Sequence, residues 1–177
     1  MIGDNFNVGG YYPGSIGRIV EAHALYYSEN WGFDVSFESQ VAMELGKFLG
    51  CFDPRIDGFW TAREQTDFAG SIAIDGKKSN TEGARLRWFI ISPKYRGKGV
   101  GKRLLSVAVK FCADVGHNKI FLWTFRGLDT ARDLYERVGF KLAEENEVDQ
   151  WGNTIVEQKF EMEIGNAITD NLLGLNR

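Results

Sequence analysis

The feature that most restricts the fold of this sequence is a strand that leads through a glycine-rich turn into a helix. Residues 84–91 combine apolar and aromatic side chains with strong β propensity, and Arg96-Gly97-Lys98-Gly99-Val100-Gly101 follows shortly after Pro93. A helix is predicted at about 101–115, because apolar residues recur there at three- and four-residue steps. The residues of this apolar face are Leu104, Leu105, Ala108, Phe111, Cys112 and Val115. Such a strand–turn–helix unit is typical of α/β architectures.

Hydrophobic periodicity and turn residues place the remaining elements. Helices are predicted at about 15–28 and 37–49, with Ser36 as the cap of the second, and a short helix at about 131–138 with a capping box made by Thr130 and Asp133. Strands are predicted at 58–63, 68–74, 119–125 and 155–164, with a further one from residue 140. The order α-α-β-β-β-α-β-α-β-β places helices between the later strands, so both sheet faces are covered in an α/β layered fold.

Length and composition narrow the classes of protein. The 177 residues fit a single domain, 1–177, with its core at about 13–164 and a C-terminal tail at 165–177. A net charge of −3 argues against nucleic-acid binding. No signal peptide and no membrane-spanning stretch is recognisable, and two cysteines with two histidines make a structural zinc site unexpected. We therefore expect a cytoplasmic protein with no metal and no membrane or nucleic-acid partner.

The glycine-rich turn has the physical properties of an anion site. Glycines allow a ligand to approach the main chain, and the following helix adds unpaired N–H groups and the positive end of its dipole. The spacing fits neither a Walker A loop nor a dinucleotide fingerprint. Two other interpretations are a purely structural turn and a generic nucleotide site.

Two sequence blocks resemble the GNAT superfamily of N-acetyltransferases. Arg96, Gly99 and Gly101 form an Arg-x-x-Gly-x-Gly pattern, and residues 130–140 resemble that family's Ala-x-x-Leu-Tyr-x-x-x-Gly-Phe segment. The phrases at 86–89 and 122–127 further resemble the acetyltransferase domains fused behind MarR-type regulators, although no winged helix precedes them here. The resemblance implies one domain with a central, mixed but mostly antiparallel sheet flanked by helices.

The resemblance also implies roles for individual residues. Tyr135 matches the position of the general acid that protonates the leaving thiolate of coenzyme A. Many family members carry Asn where this chain has Leu128, which leaves the local cofactor contacts open. The diphosphate and pantetheine arm of acetyl-CoA would be bound by Phe89, Ile90, Ile91, Arg96, Gly97, Lys98, Gly99, Val100, Gly101 and Lys102.

The implied function is transfer of an acetyl group from acetyl-CoA to a primary amine by direct attack of the amine. The acceptor, a small molecule or a protein amine, has no recognisable motif. Glu38, Glu64 and Glu82 are candidate bases, but each also fits an ordinary solvated carboxylate. The alternative function is an acyl-CoA-binding regulatory or sensing domain without turnover. A homodimer is expected only because symmetric pairs are the commonest oligomers.

Several other residues have two interpretations. His23 lies on the apolar face of the first helix and fits a hydrogen-bonded core histidine. Arg85 and Arg87 fit a solvated strand face, or one of them could meet a carboxylate of the acceptor. The aromatic residues that fit either the core or the rim of an acceptor pocket are Tyr26, Tyr27, Trp31 and Phe33.

Overall fold

The computed structural model describes residues 6–165, which form one sheet with helices on both faces. The strands within this range are β1 Asn7–Gly9, β2 Gly58–Glu64, β3 Asp67–Asp75, β4 Ala84–Ile91, β5 Lys119–Phe125, β6 Lys141–Gln150 and β7 Asn153–Glu163. The helices are α1 Ser15–Trp31, α2 Val35–Gly50, α3 Val100–Asp114 and α4 Asp129–Val138, with a short 3₁₀ turn at Pro93–Tyr95. The sheet order is β1-β2-β3-β4-β5-β7-β6, and every neighbouring pair is antiparallel except β4 with β5.

Alternating residues along the strands build a separate hydrophobic core on each face of the sheet. Ile72 and Ile74 of β3 pack in the cluster that contains the buried side chains of α3 and α4. Ala73, between them, packs in the cluster that contains those of α1 and α2. Because successive strand side chains point to opposite faces, the two helix pairs cover opposite faces of the sheet. The α/β layered fold predicted from the sequence is confirmed.

The parallel strands β4 and β5 separate soon after they begin. Only Ala84 and Arg85 of β4 pair with β5, opposite Ile120 and Phe121. Farther along β4, Trp88 adopts a φ of 46°, and the register with β3 shifts between Ser71 and Ala73. This geometry is a β-bulge, which bends its strand. The later half of β4 therefore diverges from β5 and leaves an opening in the middle of the sheet.

Most predicted elements are present, and β4 and β5 have the predicted bounds. The short strand β1 has no predicted counterpart, since three residues are too few to show a period. The helix α1 runs to Trp31, three residues past its predicted end, and β6 extends to Gln150. The tail at 166–177 lies outside the described residues.

Two predicted helix caps are wrong. Asp34 caps α2 by accepting a hydrogen bond from the Ser36 backbone N–H at 2.9 Å, so Ser36 lies inside the helix. At α4 the first helical residue is Asp129, which places Thr130 within the first turn. Leu128 occupies the N-cap position and makes no side-chain capping bond. The start of α4 is therefore left with main-chain N–H groups that its own side chains do not cap.

Candidate active site

A cavity of about 580 Å³ occupies the opening between β4 and β5. Its walls come from both strands, from the turn before α3, from α4, and from α1 and α2 on the other face of the sheet. The cavity therefore reaches both faces of the sheet through the gap that the bulge at Trp88 creates. Such a volume is in the range of small-molecule sites.

The turn at residues 97–102 exposes its backbone to this cavity. Gly97 and Gly99 have φ values of 74° and 82°, a region that favours glycine, and a Cβ added to either would meet no atom within 4 Å. No backbone N–H from residue 97 to residue 102 has a hydrogen-bond acceptor within residues 6–165. Gly99 caps α3 without a side chain. These consecutive unpaired N–H groups at the positive end of a helix fit a diphosphate.

Eight of the ten residues expected to contact the cofactor line the cavity. These are Phe89, Ile90, Ile91, Arg96, Gly97, Gly99, Gly101 and Lys102. The side chain of Val100 is instead fully buried in the core beneath α3, so only its backbone can contribute. Lys98 is not among the lining residues, and its ammonium lies 5.3 Å from the centre of the Tyr95 ring.

Arg96 connects the two sides of the sheet at the mouth of the cavity. Its Nε donates to the Ile91 carbonyl at 3.3 Å, and its guanidinium carbon lies 4.5 Å from the centre of the Tyr26 ring on α1. The side chain is exposed, so its charge remains available to an anion bound at the turn.

Tyr135 lines the cavity from α4 and is 5% exposed. Its ring packs near Phe89, Phe140 and Phe160, with centroid distances of 6.0, 5.9 and 6.3 Å. Burial, followed by the neighbouring Tyr27, raises the pKa of Tyr135 above its usual range. The phenol therefore stays protonated at neutral pH, a state that suits a proton donor.

None of the three candidate bases lines the cavity. Glu64 accepts a hydrogen bond from the Tyr95 hydroxyl at 3.1 Å, Glu82 pairs with Lys78, and Glu38 is exposed on α2. The geometry therefore gives no support to a catalytic role for these carboxylates.

His23 is buried on α1, and its Nδ1 lies 2.8 Å from the Ile19 carbonyl. Burial lowers the pKa of His23 to about 4, against a smaller opposing effect of that hydrogen bond. The predicted hydrogen-bonded core histidine is confirmed, although His23 also touches the cavity.

A polar network on the α2 side of the cavity has no local sequence signal. Arg87 forms an ion pair with Glu44 of α2, and its second terminal nitrogen lies 3.5 Å from Asp75. Gln40 donates to Glu44 at 2.9 Å and accepts from the Trp151 indole N–H at 2.8 Å. The Arg87 side chain is only 14% exposed, so the expected solvated strand face is wrong at this position.

The aromatic residues of α1 and of the loop that follows it divide between the two roles considered for them. Tyr26 and Tyr27 line the cavity, whereas Phe33 is buried in the core, stacked on Tyr27 with centroids 5.7 Å apart. Trp31 packs against Tyr27 at 5.6 Å and does not line the cavity. Trp123 of β5 and Trp151, which the sequence did not single out, also contribute to the lining.

Residues 17–140 match the model of a known protein family, described as the acetyltransferase (GNAT) family. The chain belongs to this family. An uncharacterized N-acetyltransferase of Methanocaldococcus jannaschii is 26% identical over 128 residues, which cover 70% of this chain and 55% of that protein. Human N-acetyltransferase 8B is 23% identical over 100 residues, covering 55% of this chain and 44% of that protein. The GNAT chain thus spans about half the length of these curated relatives.

Solved GNAT structures share the fold. A GNAT acetyltransferase from Staphylococcus aureus Mu50 superposes with a TM-score of 0.70 at 15% identity, covering 90% of this chain and 99% of that one. A putative acetyltransferase from Salmonella typhimurium, solved with its cofactor acetyl-CoA, gives 0.68 at 13% identity, covering 92% and 96%. A chimera of the Vibrio cholerae spermidine N-acetyltransferase gives 0.68 at 17% identity, covering 98% and 100%. The link to MarR-fused domains stays a prediction.

Residues 6–165 contain no helix long and apolar enough to span a membrane. Over the same residues, no group of three or more His, Cys, Asp or Glu side chains is placed to hold a metal ion.

Proposed function

We propose that this GNAT protein transfers the acetyl group of acetyl-CoA to a primary amine. One observation carries the proposal. The unpaired N–H groups at 97–102 and the buried Tyr135 phenol line the same cavity, which opens to both faces of the sheet. A diphosphate site next to a proton donor suits a substrate with a diphosphate at one end and a thiol leaving group at the other.

The strand β4 would bind the extended arm of the cosubstrate. Beyond Arg85, β4 has no pairing with β5, so the edge that faces the opening has main-chain groups available to a linear ligand. Phe89 and Ile91 lie along this segment between the turn and Tyr135. We propose that the arm pairs there like an additional strand, with the diphosphate at Gly97–Gly101 and the cations of Arg96 and Lys102 beside it.

Tyr135 would donate its proton to the sulfur that leaves when the amine attacks the thioester. General acid catalysis of this kind typically contributes roughly 10²–10⁴ in rate. The attacking amine must lose a proton, and Glu44, although it lines the cavity, already accepts from Arg87 and Gln40. We propose that the amine enters as its free base and that cavity water carries the proton away.

We propose a cytoplasmic enzyme whose domain is the whole of residues 1–177, with a small-molecule or protein amine as acceptor and a homodimer as assembly. No observation favours the alternative of an acyl-CoA-binding domain without turnover.

Calorimetric titration of acetyl-CoA, CoA and ATP into the protein tests the cofactor half of the proposal. Gly99→Glu places a carboxylate where the diphosphate would lie, so we expect CoA binding to weaken by roughly 10²-fold or more. Gly116→Glu is the matched control, because Gly116 has a φ of 81°, equally open space at its Cβ and a place at the far end of α3. It should bind CoA like the wild type.

Two results would contradict the proposal. One is binding of ATP as tight as that of CoA, which would indicate a general phosphate site. The other is the absence of CoA release, measured as free thiol, from acetyl-CoA with any amine of a broad panel.

A further inference from the structure

Arg85 is a cation on the cavity wall whose charge is not balanced by a direct ion pair within residues 6–165. Arg85 lines the cavity at the last paired row of β4 and β5, where the opening begins. Its side chain forms no salt bridge and no hydrogen bond within residues 6–165. Each of its nitrogens keeps some exposure to solvent, so a ligand can reach the guanidinium.

The charged groups of the polar network next to Arg85 already have partners. Arg87 pairs with Glu44 and with Asp75, and Gln40 donates to the second oxygen of Glu44. Burial raises the pKa of Glu157 and the charge of Arg85 partly offsets this, but the two side chains form no ion pair within residues 6–165. Burial, with the like charge of Arg87 next, lowers the pKa of Arg85 from its ordinary value, whereas Glu44, Asp75 and Glu157 only partly offset this. A partly desolvated guanidinium of this kind is the group that gains most from an incoming carboxylate.

We infer that Arg85 binds a carboxylate of the acceptor, so that the amine acetylated by this protein belongs to an amino acid. The inference rests on the proposed acetyl transfer and specifies its substrate class. Arg85 and Arg87 differ in this respect. The guanidinium of Arg87 already pairs with carboxylates of α2 and β3, whereas the N–H groups of Arg85 are available to bind a carboxylate in a bidentate manner.

The distance along β4 is compatible with such an acceptor. Phe89, which packs beside Tyr135, comes four residues after Arg85 on β4, which corresponds to at most about 13 Å of strand. The arginine side chain spans part of this distance and a compact amino acid the rest. Phe37 and Trp123 also line the cavity and offer apolar surface to a ligand.

Matched pairs of acceptors test the inference. Phenylalanine, glycine, β-alanine and γ-aminobutyrate are compared with their carboxamides, which keep the shape but lose the carboxylate charge. Because the carboxamides are weaker bases, rates are compared at equal concentrations of free amine. We expect the wild type to have the higher kcat/KM for the acid in at least one pair. Arg85→Gln should lower kcat/KM for that acid roughly 10- to 100-fold, the usual effect of losing a hydrogen bond to a charged group, and leave the amide unchanged.

The controls separate charge recognition from misfolding. Arg85→Lys keeps the charge and should recover part of the loss, and unchanged amide turnover shows that Arg85→Gln is folded. Arg55→Gln removes an arginine that pairs with Asp53 outside the cavity lining, and should not alter the ratio of acid to amide. Equal use of acids and amides by the wild type, or an equal loss for both in Arg85→Gln, would overturn the inference.

A binding measurement keeps this inference separate from the proposed transfer. The product-like probe N-acetylphenylalanine is titrated by calorimetry into wild type and Arg85→Gln, both saturated with CoA. Binding that depends on Arg85 in a protein without turnover would leave the carboxylate site standing and refute the transfer. Turnover of amines, combined with probe binding that does not depend on Arg85, would support the transfer and refute the carboxylate site.

Discussion

The bulge in β4 opens the gap in the sheet that contains the cavity, and we expect one buried hydroxyl group to stabilise this bulge. The Oγ of Ser71 on β3, fully buried, donates to the Trp88 carbonyl at 2.8 Å. Trp88 has no cross-strand partner in the β3 register, and its φ of 46° is unusual for a residue with a large side chain. Ser71→Ala would remove this donor and leave the buried carbonyl without it, which typically costs about 1–3 kcal/mol. For a protein of this size the melting temperature should fall by about 2–4 °C per kcal/mol.

Ser106→Ala is the matched control for this prediction. The Ser106 Oγ is also buried, on α3, but it has no hydrogen-bond partner among residues 6–165. Its removal should leave the free energy of unfolding unchanged or raise it, since alanine also has the higher helix propensity. Urea unfolding followed by tryptophan fluorescence measures the free energy of unfolding of both variants, and calorimetric titration with CoA measures their CoA affinity. Equal stability of the two variants, or unweakened CoA binding by Ser71→Ala, would refute the role of this bond in holding the bulge.

Two further predictions concern the site. Tyr135→Phe should lower kcat roughly 10²-fold or more with little change in CoA affinity, because it removes the proton donor and keeps the ring; an unchanged kcat in stopped-flow thiol release would exclude the role. Since burial depresses the pKa of His23 from 6.5 to about 4, the unfolded state binds a proton that the folded state does not between these values. Stability should therefore be fully present above pH 6.5 and fall by about 3 kcal/mol toward pH 4 from this group. His23→Gln should remove that part of the pH dependence in urea titrations.

The conformation of the turn proposed to bind the cofactor could be predicted from the sequence because it is local. The glycines and the start of α3 lie within a few consecutive residues, and their backbone conformations create the anion site directly. The strand and helix around them show clear periodicity, so their bounds were predicted within one residue. The helix caps at Asp34 and Leu128 were missed, because neighbouring serine and threonine residues offered equally plausible local caps.

The acceptor half could not be predicted in the same way, because its contacts join distant parts of the chain. Glu44 and Arg87 are 43 residues apart, and Gln40 and Trp151 are 111 apart. Nothing near Arg87 in the sequence shows that α2 crosses above it. The alternation of Arg85 and Arg87 with apolar residues was visible, but a solvated face and a covered polar face give the same pattern.

This difference between the two halves has a consequence for how substrate choice is controlled. The diphosphate contacts proposed for this GNAT protein come from main-chain N–H groups, which side-chain changes elsewhere leave intact. The proposed acceptor side is formed by side chains of α2, β4 and the β6–β7 hairpin, which meet only in the folded protein. Replacing Arg85 or its neighbours should therefore change which amine is used without changing CoA affinity. If Arg85→Gln weakened CoA binding as much as it weakened use of the acid, the two halves would have to be treated as one site.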